Sequence, residues 1–301
     1  MANNNFDVII VGGSYSGLSA AMALGRSLRE VLVIDGGKPC NRQTPHSHNF
    51  LTQDGETPKA ISDKARQQVE KYKTVVFYDG LAVQGFKTID GFEITTESND
   101  TFTSKKLIFA SGIKDRLPNI KGLSECWGIS VIHCPYCHGY EVKHEKTGIL
   151  GNGEYGFEFS KMISNWTKDL TLFTNGKSTL TKDQAESLQA HNIPIVETEI
   201  DSLVHTNGQL KHVVFKEGGT SAVKAMYAKV PFTQNSDIPI SLGCELTEHG
   251  YITVDSFQRT KVPGLFVCGD STSFMRSVSN AVTSGSFAGS MANKELIEEE
   301  F

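Results

Sequence analysis

The stretch Val11-Gly12-Gly13-Ser14-Tyr15-Ser16-Gly17 decides the fold of the N-terminal part of the chain. It follows a short apolar segment, Phe6 to Val11, and precedes small and apolar residues at helical spacing, Leu18 to Arg26. Val31 to Ile34 has the composition of a second buried strand, and Asp35 follows it. The order strand, glycine loop, helix, strand and acid is the βαβ context that predicts a dinucleotide site.

This first loop suits a pyrophosphate. Gly12 and Gly17 allow close backbone approach, and the start of the following helix offers unpaired N–H groups. Asp35, 18 residues after Gly17, is placed to accept a hydrogen bond from a ribose hydroxyl. Ser14 replaces the middle glycine of the pattern with a small residue that adds a hydroxyl. The alternative is a glycine-rich turn in an unrelated α/β protein.

A second loop, Gly151-Asn152-Gly153-Glu154-Tyr155-Gly156, repeats this arrangement. The predicted strand Thr147 to Leu150 precedes it, and a predicted helix, Phe157 to Trp166, and strand, Leu170 to Phe173, follow it. The duplication predicts a second nucleotide domain. Its candidate nucleotide-binding residues are Gly151, Gly153, Glu154 and Gly156.

The domain order follows from the two loops and the C-terminal region. Lys114 to Asn119, which contains Pro118, is a candidate boundary. The predicted last helix, Ser279 to Ile297, has no glycine loop before it, so we expect it to complete the first domain, with its acidic end as a solvated tail. The prediction is an α/β fold of two Rossmann-like (three-layer ββα) dinucleotide-binding domains, the second inserted into the first. The first domain takes residues 1–115 and 246–301, and the second takes residues 116–245.

Composition narrows the function classes. The chain has 301 residues, a net charge of −5 and scattered basic residues, so a nucleic-acid partner is not expected. Its N-terminal apolar run is too short for a signal peptide or a membrane span. We therefore expect a cytoplasmic protein without membrane association. In a reducing compartment, the six cysteines favour catalytic or buried roles over structural disulfides.

Between the two loops lies Cys134-Pro135-Tyr136-Cys137-His138-Gly139, a CxxC pair. A structural zinc site needs four ligands, and the extra candidates His133 and His138 each adjoin a cysteine, which hinders convergence on one metal. The CxxCH pattern also matches haem attachment, which belongs to exported proteins. The interpretation we favour is a redox dithiol that faces a flavin, with no metal.

His138 is the candidate acid and base of this pair. A histidine of ordinary pKa suits proton transfer during thiol exchange. The alternative is a histidine that only hydrogen-bonds the backbone. Glu141 is a candidate for orienting it. The remaining cysteines, Cys40, Cys126, Cys244 and Cys268, are interpreted as unreactive, with Cys40 in a polar turn.

Taken together, these motifs resemble those of the low-molecular-weight thioredoxin reductases over nearly the whole chain. The pieces that carry the resemblance are Val11-Gly12-Gly13, Ala110-Ser111-Gly112, Trp127-Gly128 before the CxxC, Gly151 to Gly156, and Val267-Cys268-Gly269-Asp270.

The resemblance implies two cofactors. The first loop and Asp35 would bind FAD, and Ser111 and Gly112 would lie near its adenine half. Asp270 would bond the ribityl chain, and Ala281 would point at the isoalloxazine ring. The second loop would bind a pyridine nucleotide.

The resemblance also implies roles for the cysteines and an assembly. Cys137 would be the thiol nearest the flavin, and Cys134 the one that exchanges with substrate. The protein would be a homodimer whose nicotinamide domain rotates.

The chain departs from that family at two points. His138 stands where thioredoxin reductases have aspartate, and Cys-Pro-Tyr-Cys-His-Gly resembles a subgroup that includes the gliotoxin and holomycin dithiol oxidases. Thr174-Asn175-Gly176 and a single Lys177 stand where NADPH-dependent members have a His-Arg-Arg cluster. Lysine gives a point charge where arginines would clamp a 2′-phosphate. We expect NADPH as the nucleotide, with NADH as the alternative.

Three functions follow from these motifs. The first is a reductase that passes electrons from NAD(P)H through FAD and the dithiol to a thioredoxin-like protein or a small disulfide. The second is an oxidase that forms a disulfide in a small dithiol and passes electrons to oxygen. The third is a nucleotide-binding redox sensor with little turnover.

Overall fold

The computed structural model describes residues 4–301, and the chain divides into two units. The first unit runs up to Arg42 and takes in Phe50–Lys114 and Phe232–Phe301. The second comprises Gln43–Asn49 and Asp115–Pro231. One unit is therefore inserted into the other, as the order of the motifs predicts.

The helices and strands follow in chain order. They are β1 (Asn5–Val11), α1 (Tyr15–Arg26), β2 (Val31–Asp35), α2 (Pro58–Val69), β3 (Val75–Asp79), β4 (Ala82–Lys87), β5 (Phe92–Thr96), β6 (Thr101–Phe109), β7 (Ile113–Asp115), α3 (Leu123–Cys126), β8 (Val131–Ile132), α4 (Pro135–His138), β9 (Thr147–Leu150), α5 (Gly153–Ile163), β10 (Leu170–Phe173), α6 (Lys182–Ala190), β11 (Ile195–Val196), β12 (Ile200–Thr206), β13 (Gln209–Phe215), β14 (Thr220–Ala222), β15 (Ala225–Ala228), β16 (Phe232–Gln234), α7 (Ile238–Ser241), β17 (Leu265–Val267), a short 3-10 helix (Gly269–Ser271) and α8 (Val278–Glu300).

The first unit is built on a seven-stranded sheet. Strands β3, β2, β1 and β6 lie side by side and are parallel. The last residues of β6 pair in parallel with β17, and its first residues pair antiparallel with β5, which pairs with β4. Strands β1 and β2 are almost wholly apolar and buried, as expected for a parallel sheet covered on both faces.

Helices α1 and α8 pack together closely in this unit because small residues line their contact. A Cβ atom on Gly285 would lie 2.0 Å from the Ser16 carbonyl oxygen, and one on Gly289 would lie 2.6 Å from that of Ala20. The contact fixes the start of both helices at one end of the parallel sheet, next to the first glycine loop.

The second unit repeats the parallel βαβ arrangement. Strands β11, β10, β9, β15 and β8 form a five-stranded sheet in that order, and all of its pairs are parallel. Strands β12, β13 and β14 form a separate antiparallel sheet. A parallel sheet, helices and a smaller antiparallel layer confirm the predicted α/β, Rossmann-like class.

The second boundary between the units differs from the prediction. The change falls between Pro231 and Phe232, whereas the sequence places it after residue 245. Residues 232–245 belong to the first unit because Gln234 donates to the carbonyls of Gly250 and Ser271 at 2.9 and 3.1 Å, and Ile238 lies in a core cluster of that unit.

Strands β3 and β4 are separate because the chain turns at Gly80, where it changes from a parallel to an antiparallel partner. The acidic end of α8 is exposed at residues 298–300, as predicted, but its carboxylates also form ion pairs. Lys106, only 4% exposed, pairs with Glu295 and Glu299, and Glu300 pairs with Arg29 and Lys105.

Candidate functional site

The first glycine loop leaves no room for side chains. Gly12 has φ +108° and donates its N–H to the Ile34 carbonyl at 2.8 Å. A Cβ atom on Gly17 would lie 1.8 Å from the Gly12 carbonyl oxygen, and one on Gly13 would lie 2.8 Å from the Asp35 side chain. The loop therefore holds Asp35 against its backbone, as a dinucleotide site requires.

Ser14 is the residue that precedes α1, and its side chain makes no capping hydrogen bond. The first turn of α1 contains no acidic side chain. The positive end of the helix thus keeps its backbone N–H groups for an anion. Together with the bare glycine backbone, this arrangement fits a pyrophosphate.

Ser111 and Gly112 lie directly after β6, within the same unit. The Gly112 carbonyl accepts from the Asn235 N–H at 3.0 Å and the Ser271 hydroxyl at 3.1 Å, while the Asn235 amide donates to the Ser111 carbonyl at 3.1 Å. Gly112 has φ +69° and open space where a Cβ would stand. Hydrogen bonds from Asn235 and Ser271 to the two carbonyls therefore fix this turn, and the space beside the Gly112 Cα stays open.

Asp270 and Ala281 complete the predicted cofactor residues of the first unit. Asp270 lies in the 3-10 helix, where its carboxylate oxygen is 3.8 Å from Arg276 Nε and 3.7 Å from Cys40 Sγ. Ala281 lies in the first turn of α8, buried beside Tyr15.

The second glycine loop is held by the side chain of Asn152. Its Oδ1 accepts from the Gly153 and Thr179 N–H groups, each at 2.8 Å, and its Nδ2 donates to the Lys177 carbonyl at 2.9 Å. Gly153 has φ +54°. These hydrogen bonds therefore hold the loop against the segment that follows β10.

Gly151, Gly156 and Glu154 take different parts in this loop. A Cβ on Gly156 would lie 3.1 Å from the Gly151 carbonyl carbon, so the two residues are in close contact. The Glu154 carboxylate accepts from the Gln184 side chain at 2.5 Å, and Gln184 belongs to the capping box of α6. Glu154 thus supports the loop through a neighbouring helix.

Cys134 and Cys137 are joined by a disulfide, with their Cα atoms 5.3 Å apart. Cys134 immediately precedes α4, and its carbonyl accepts from the N–H groups of Cys137 and His138. Both cysteines are partly exposed, and Tyr136 between them is 66% exposed. A disulfide that spans one turn and reaches the surface is open to attack by a thiolate.

His138 follows the disulfide and is half-buried. Burial lowers the pKa of its imidazole, and repulsion by His48 lowers it further, while Glu141 opposes both. His48 Nε2 lies 3.5 Å from Glu141 Oε1, and the His48 and His138 rings meet edge to face with centroids 6.5 Å apart. Neutral imidazole is therefore the favoured form of His138 at neutral pH, and it can accept a proton from a thiol.

The sequence analysis missed His48. Its segment, Gln43–Asn49, leaves the first unit and joins the second, anchored by a hydrogen bond of 2.5 Å from the Gln43 side chain to the Trp127 carbonyl. His46 lies in the same segment, 6.4 Å from His48 between ring centroids. The only signal in the sequence is the pair His46 and His48 in a polar loop.

Four cysteines remain outside the disulfide, and Cys40 is the exposed one among them. Cys126, Cys244 and Cys268 are buried, and burial raises the pKa of each thiol, to about 12 for Cys268. His133 stacks on Trp127. Within residues 4–301, no group of three or more His, Cys, Asp or Glu side chains is placed to hold a metal ion.

Across the described part of the chain, no helix combines the length and the apolar character that crossing a bilayer needs.

Each unit has a glycine loop at the end of a parallel strand, and the second unit also carries the Cys134–Cys137 disulfide. The sequence profile of the pyridine nucleotide-disulphide oxidoreductase family matches residues 6–285. The chain belongs to this family.

Individual relatives narrow the class. Thioredoxin reductase tcpT of Claviceps purpurea is 29% identical over 308 residues, which cover 99% of this chain and 96% of that protein. Thioredoxin reductase aclD of Aspergillus oryzae is 29% identical over 312 residues, covering 100% and 99%. The crystal structure of an oxidoreductase from Agrobacterium tumefaciens superimposes with a TM-score of 0.91 at 35% identity, covering 97% and 99%. The protein is therefore a thioredoxin-reductase-like enzyme, and its family implies a flavin and a nicotinamide nucleotide.

Proposed function

We propose that the protein is an FAD-dependent reductase that passes electrons from NAD(P)H through the Cys134–Cys137 disulfide to a thioredoxin-like protein or a small disulfide. The observation that carries the proposal is this partly exposed disulfide beside a histidine of lowered pKa, in the unit that also holds the second glycine loop. When bound, the flavin would supply two-electron transfer between the nicotinamide and the disulfide.

The cofactors would divide between the two loops. The first loop would hold the FAD pyrophosphate through Gly12, Ser14 and Gly17, and Asp35 would bond the adenosine ribose. Ser111, Gly112, Asp270 and Ala281 would line the rest of that site. The second loop would hold the pyridine nucleotide through Gly151, Gly153 and Gly156, with Glu154 bracing it.

The reductase cycle begins with reduction of the enzyme disulfide. Two electrons and two protons convert the Cys134–Cys137 disulfide to two thiols. Cys134, as a thiolate, attacks the substrate disulfide and forms a mixed disulfide as one substrate thiol leaves. Cys137 then attacks Cys134 Sγ, which restores the enzyme disulfide and releases the second substrate thiol. His138 would take the proton from the attacking thiol and return it to the leaving one.

A second candidate is a dithiol oxidase. The observation that favours it is His138 itself, because Cys134-Pro135-Tyr136-Cys137-His138-Gly139 resembles the subgroup that includes the gliotoxin and holomycin dithiol oxidases. In that direction a small dithiol would be oxidised to a disulfide, and oxygen would take the two electrons and two protons as peroxide.

The proposal extends to assembly and location. We infer a homodimer from the resemblance to thioredoxin reductases. We infer the cytoplasm because four of the six cysteines are free thiols, which a reducing compartment preserves.

The test is to replace Cys134 with serine. Flavin bleaching by NAD(P)H without oxygen should persist in Cys134→Ser, while turnover of a disulfide substrate is lost. Cys244→Ala, which removes a buried thiol of the first unit, should keep turnover. Retained turnover in Cys134→Ser would overturn the reductase proposal. Bleaching by a small dithiol alone, with peroxide formed in air, would establish the oxidase instead.

A further inference from the structure

The segment after β10 meets the ribose end of a dinucleotide in a βαβ unit. At this place an acidic side chain accepts from a free 2′-hydroxyl, while an arginine accommodates a 2′-phosphate. In this chain the segment reads Thr174-Asn175-Gly176-Lys177-Ser178-Thr179, which offers Lys177 as its single cationic side chain.

Its polar side chains are used by the protein itself. The Thr174 hydroxyl donates to the Gly176 carbonyl at 2.6 Å, and Asn175 Oδ1 accepts from the Ile200 N–H at 2.7 Å. The Lys177 carbonyl is taken by Asn152. The segment is therefore a fixed turn, and it presents few side-chain donors to an anion.

An acidic residue from the next strand reaches this turn. Glu197 follows β11, and its carbonyl accepts from the Gly176 N–H at 2.9 Å. Its carboxylate Oε1 accepts from the Ser178 N–H, also at 2.9 Å. The carboxylate thus occupies a backbone donor that a phosphate would otherwise use.

The charge of Glu197 is not neutralised by a salt bridge. Within residues 4–301 no lysine, arginine or histidine forms an ion pair with it, whereas the neighbouring Glu199 pairs with Lys216. The turn and strand border a shallow groove lined by Ser178, Ala185, Ile195, Val196, Glu197 and Thr198. Its apolar part suits the flat face of an adenine.

We propose that Glu197 makes the second unit selective for a dinucleotide with a free ribose 2′-hydroxyl, of the NAD type, and rejects a 2′-phosphate. The inference rests on the proposed function, since it takes the second loop as the pyridine-nucleotide site. The carboxylate accepts from a 2′-hydroxyl as it does from the Ser178 N–H, and it repels the negative charges of a 2′-phosphate.

The test uses ligands that carry no nicotinamide, so that binding is measured without turnover. ADP-ribose and 2′-phospho-ADP-ribose are titrated into the flavin-loaded protein by calorimetry. The wild type should bind ADP-ribose more tightly. Glu197→Gln keeps the acceptor oxygen for Ser178 and removes the charge, so it should raise the affinity for the 2′-phosphate ligand about tenfold, the size expected for nearby charges in a solvent-exposed site. Its affinity for ADP-ribose should fall, because a neutral amide is a weaker acceptor for the 2′-hydroxyl than the carboxylate.

Glu199→Gln is the matched control, because it removes a carboxylate two residues away and should leave the ratio of the two affinities unchanged. Tighter binding of the 2′-phosphate ligand by the wild type, or an unchanged ratio in Glu197→Gln, would overturn the inference and leave the nucleotide site intact. If the flavin-loaded protein bound neither ligand, both the inference and the assignment of the second loop would fall.

Discussion

The two glycine loops have the same chain order but obtain their support from different places. In the first, Asp35 ends the strand that follows the loop's own helix and packs against Gly13. In the second, the residue after the corresponding strand is Thr174, and the acidic side chain comes from Glu197, one strand further on. Asn152 ties the second loop to its neighbouring turn, whereas Ser14 makes no capping bond in the first.

The two βαβ modules therefore share the glycine loop and differ in where the nearby acidic side chain comes from. A phosphate loop depends on backbone conformation, which glycines set locally. The ribose end depends on side chains, which can be supplied by any adjacent strand. Nucleotide choice can therefore change while the fold stays the same.

The largest effect is expected from replacing the last glycine of each loop, because the loss of unfolding free energy should differ most there. Gly17→Ala would place Cβ 1.8 Å from a backbone oxygen, so we expect the first unit to lose about 3 kcal/mol or more of unfolding free energy, together with its flavin. Gly156→Ala meets its nearest atom at 3.1 Å, and alanine favours a helix by about 1 kcal/mol, so its net change should be near zero.

Urea unfolding and flavin absorbance of the purified variants measure this contrast. An equal loss of unfolding free energy in the two variants would contradict the prediction that the first loop is the more crowded one.

The second unit also contains His138, the proposed proton-transfer group. Because burial lowers the pKa of His138, its neutral form persists below the ordinary histidine value of about 6.5, and the rate should fall only at more acidic pH. Glu141→Gln removes the charge that raises this pKa, so the acidic limb of kcat/KM against pH should move to still lower pH.

The control for this pH profile is Glu158→Gln, on the exposed part of α5, which should leave the limb in place. His138→Ala should remove the limb. A limb that stays unchanged in both Glu141→Gln and His138→Ala would assign the titration to another group.

The tether of the second loop gives a smaller effect. Asn152→Ala removes the hydrogen bonds to Gly153, Thr179 and Lys177, which contribute about 1 kcal/mol each. Because most of this loss falls on the stability of the loop itself, we expect pyridine-nucleotide affinity to fall only about tenfold. Calorimetric titration measures it, with the exposed Asn165→Ala as control. Loss of flavin in Asn152→Ala would contradict the assignment of the second loop to the pyridine nucleotide.

The smallest effect is expected at Ser14. Because its hydroxyl makes no capping bond, Ser14→Gly should change the unfolding free energy by only a few tenths of a kcal/mol and leave flavin content unchanged. Thermal unfolding with flavin absorbance checks both values. A clear loss of flavin would assign the hydroxyl to cofactor binding.

Local patterns were sufficient to predict both βαβ modules, because glycine loops and strand composition are encoded within a few neighbouring residues. They failed where distant segments meet. Nothing near Gln43–Asn49 indicates that it joins the second unit, so His48 was missed. Likewise, nothing near the acidic end of α8 indicates that Glu295 and Glu299 pair with the buried Lys106.

An anaerobic titration of the purified flavoprotein with dithionite decides whether Cys134 and Cys137 form a redox centre that exchanges electrons with a bound flavin. Full reduction should consume about two two-electron equivalents per flavin, one for the flavin and one for the disulfide, and about one in Cys134→Ser. Consumption of a single equivalent by the wild type would contradict this prediction.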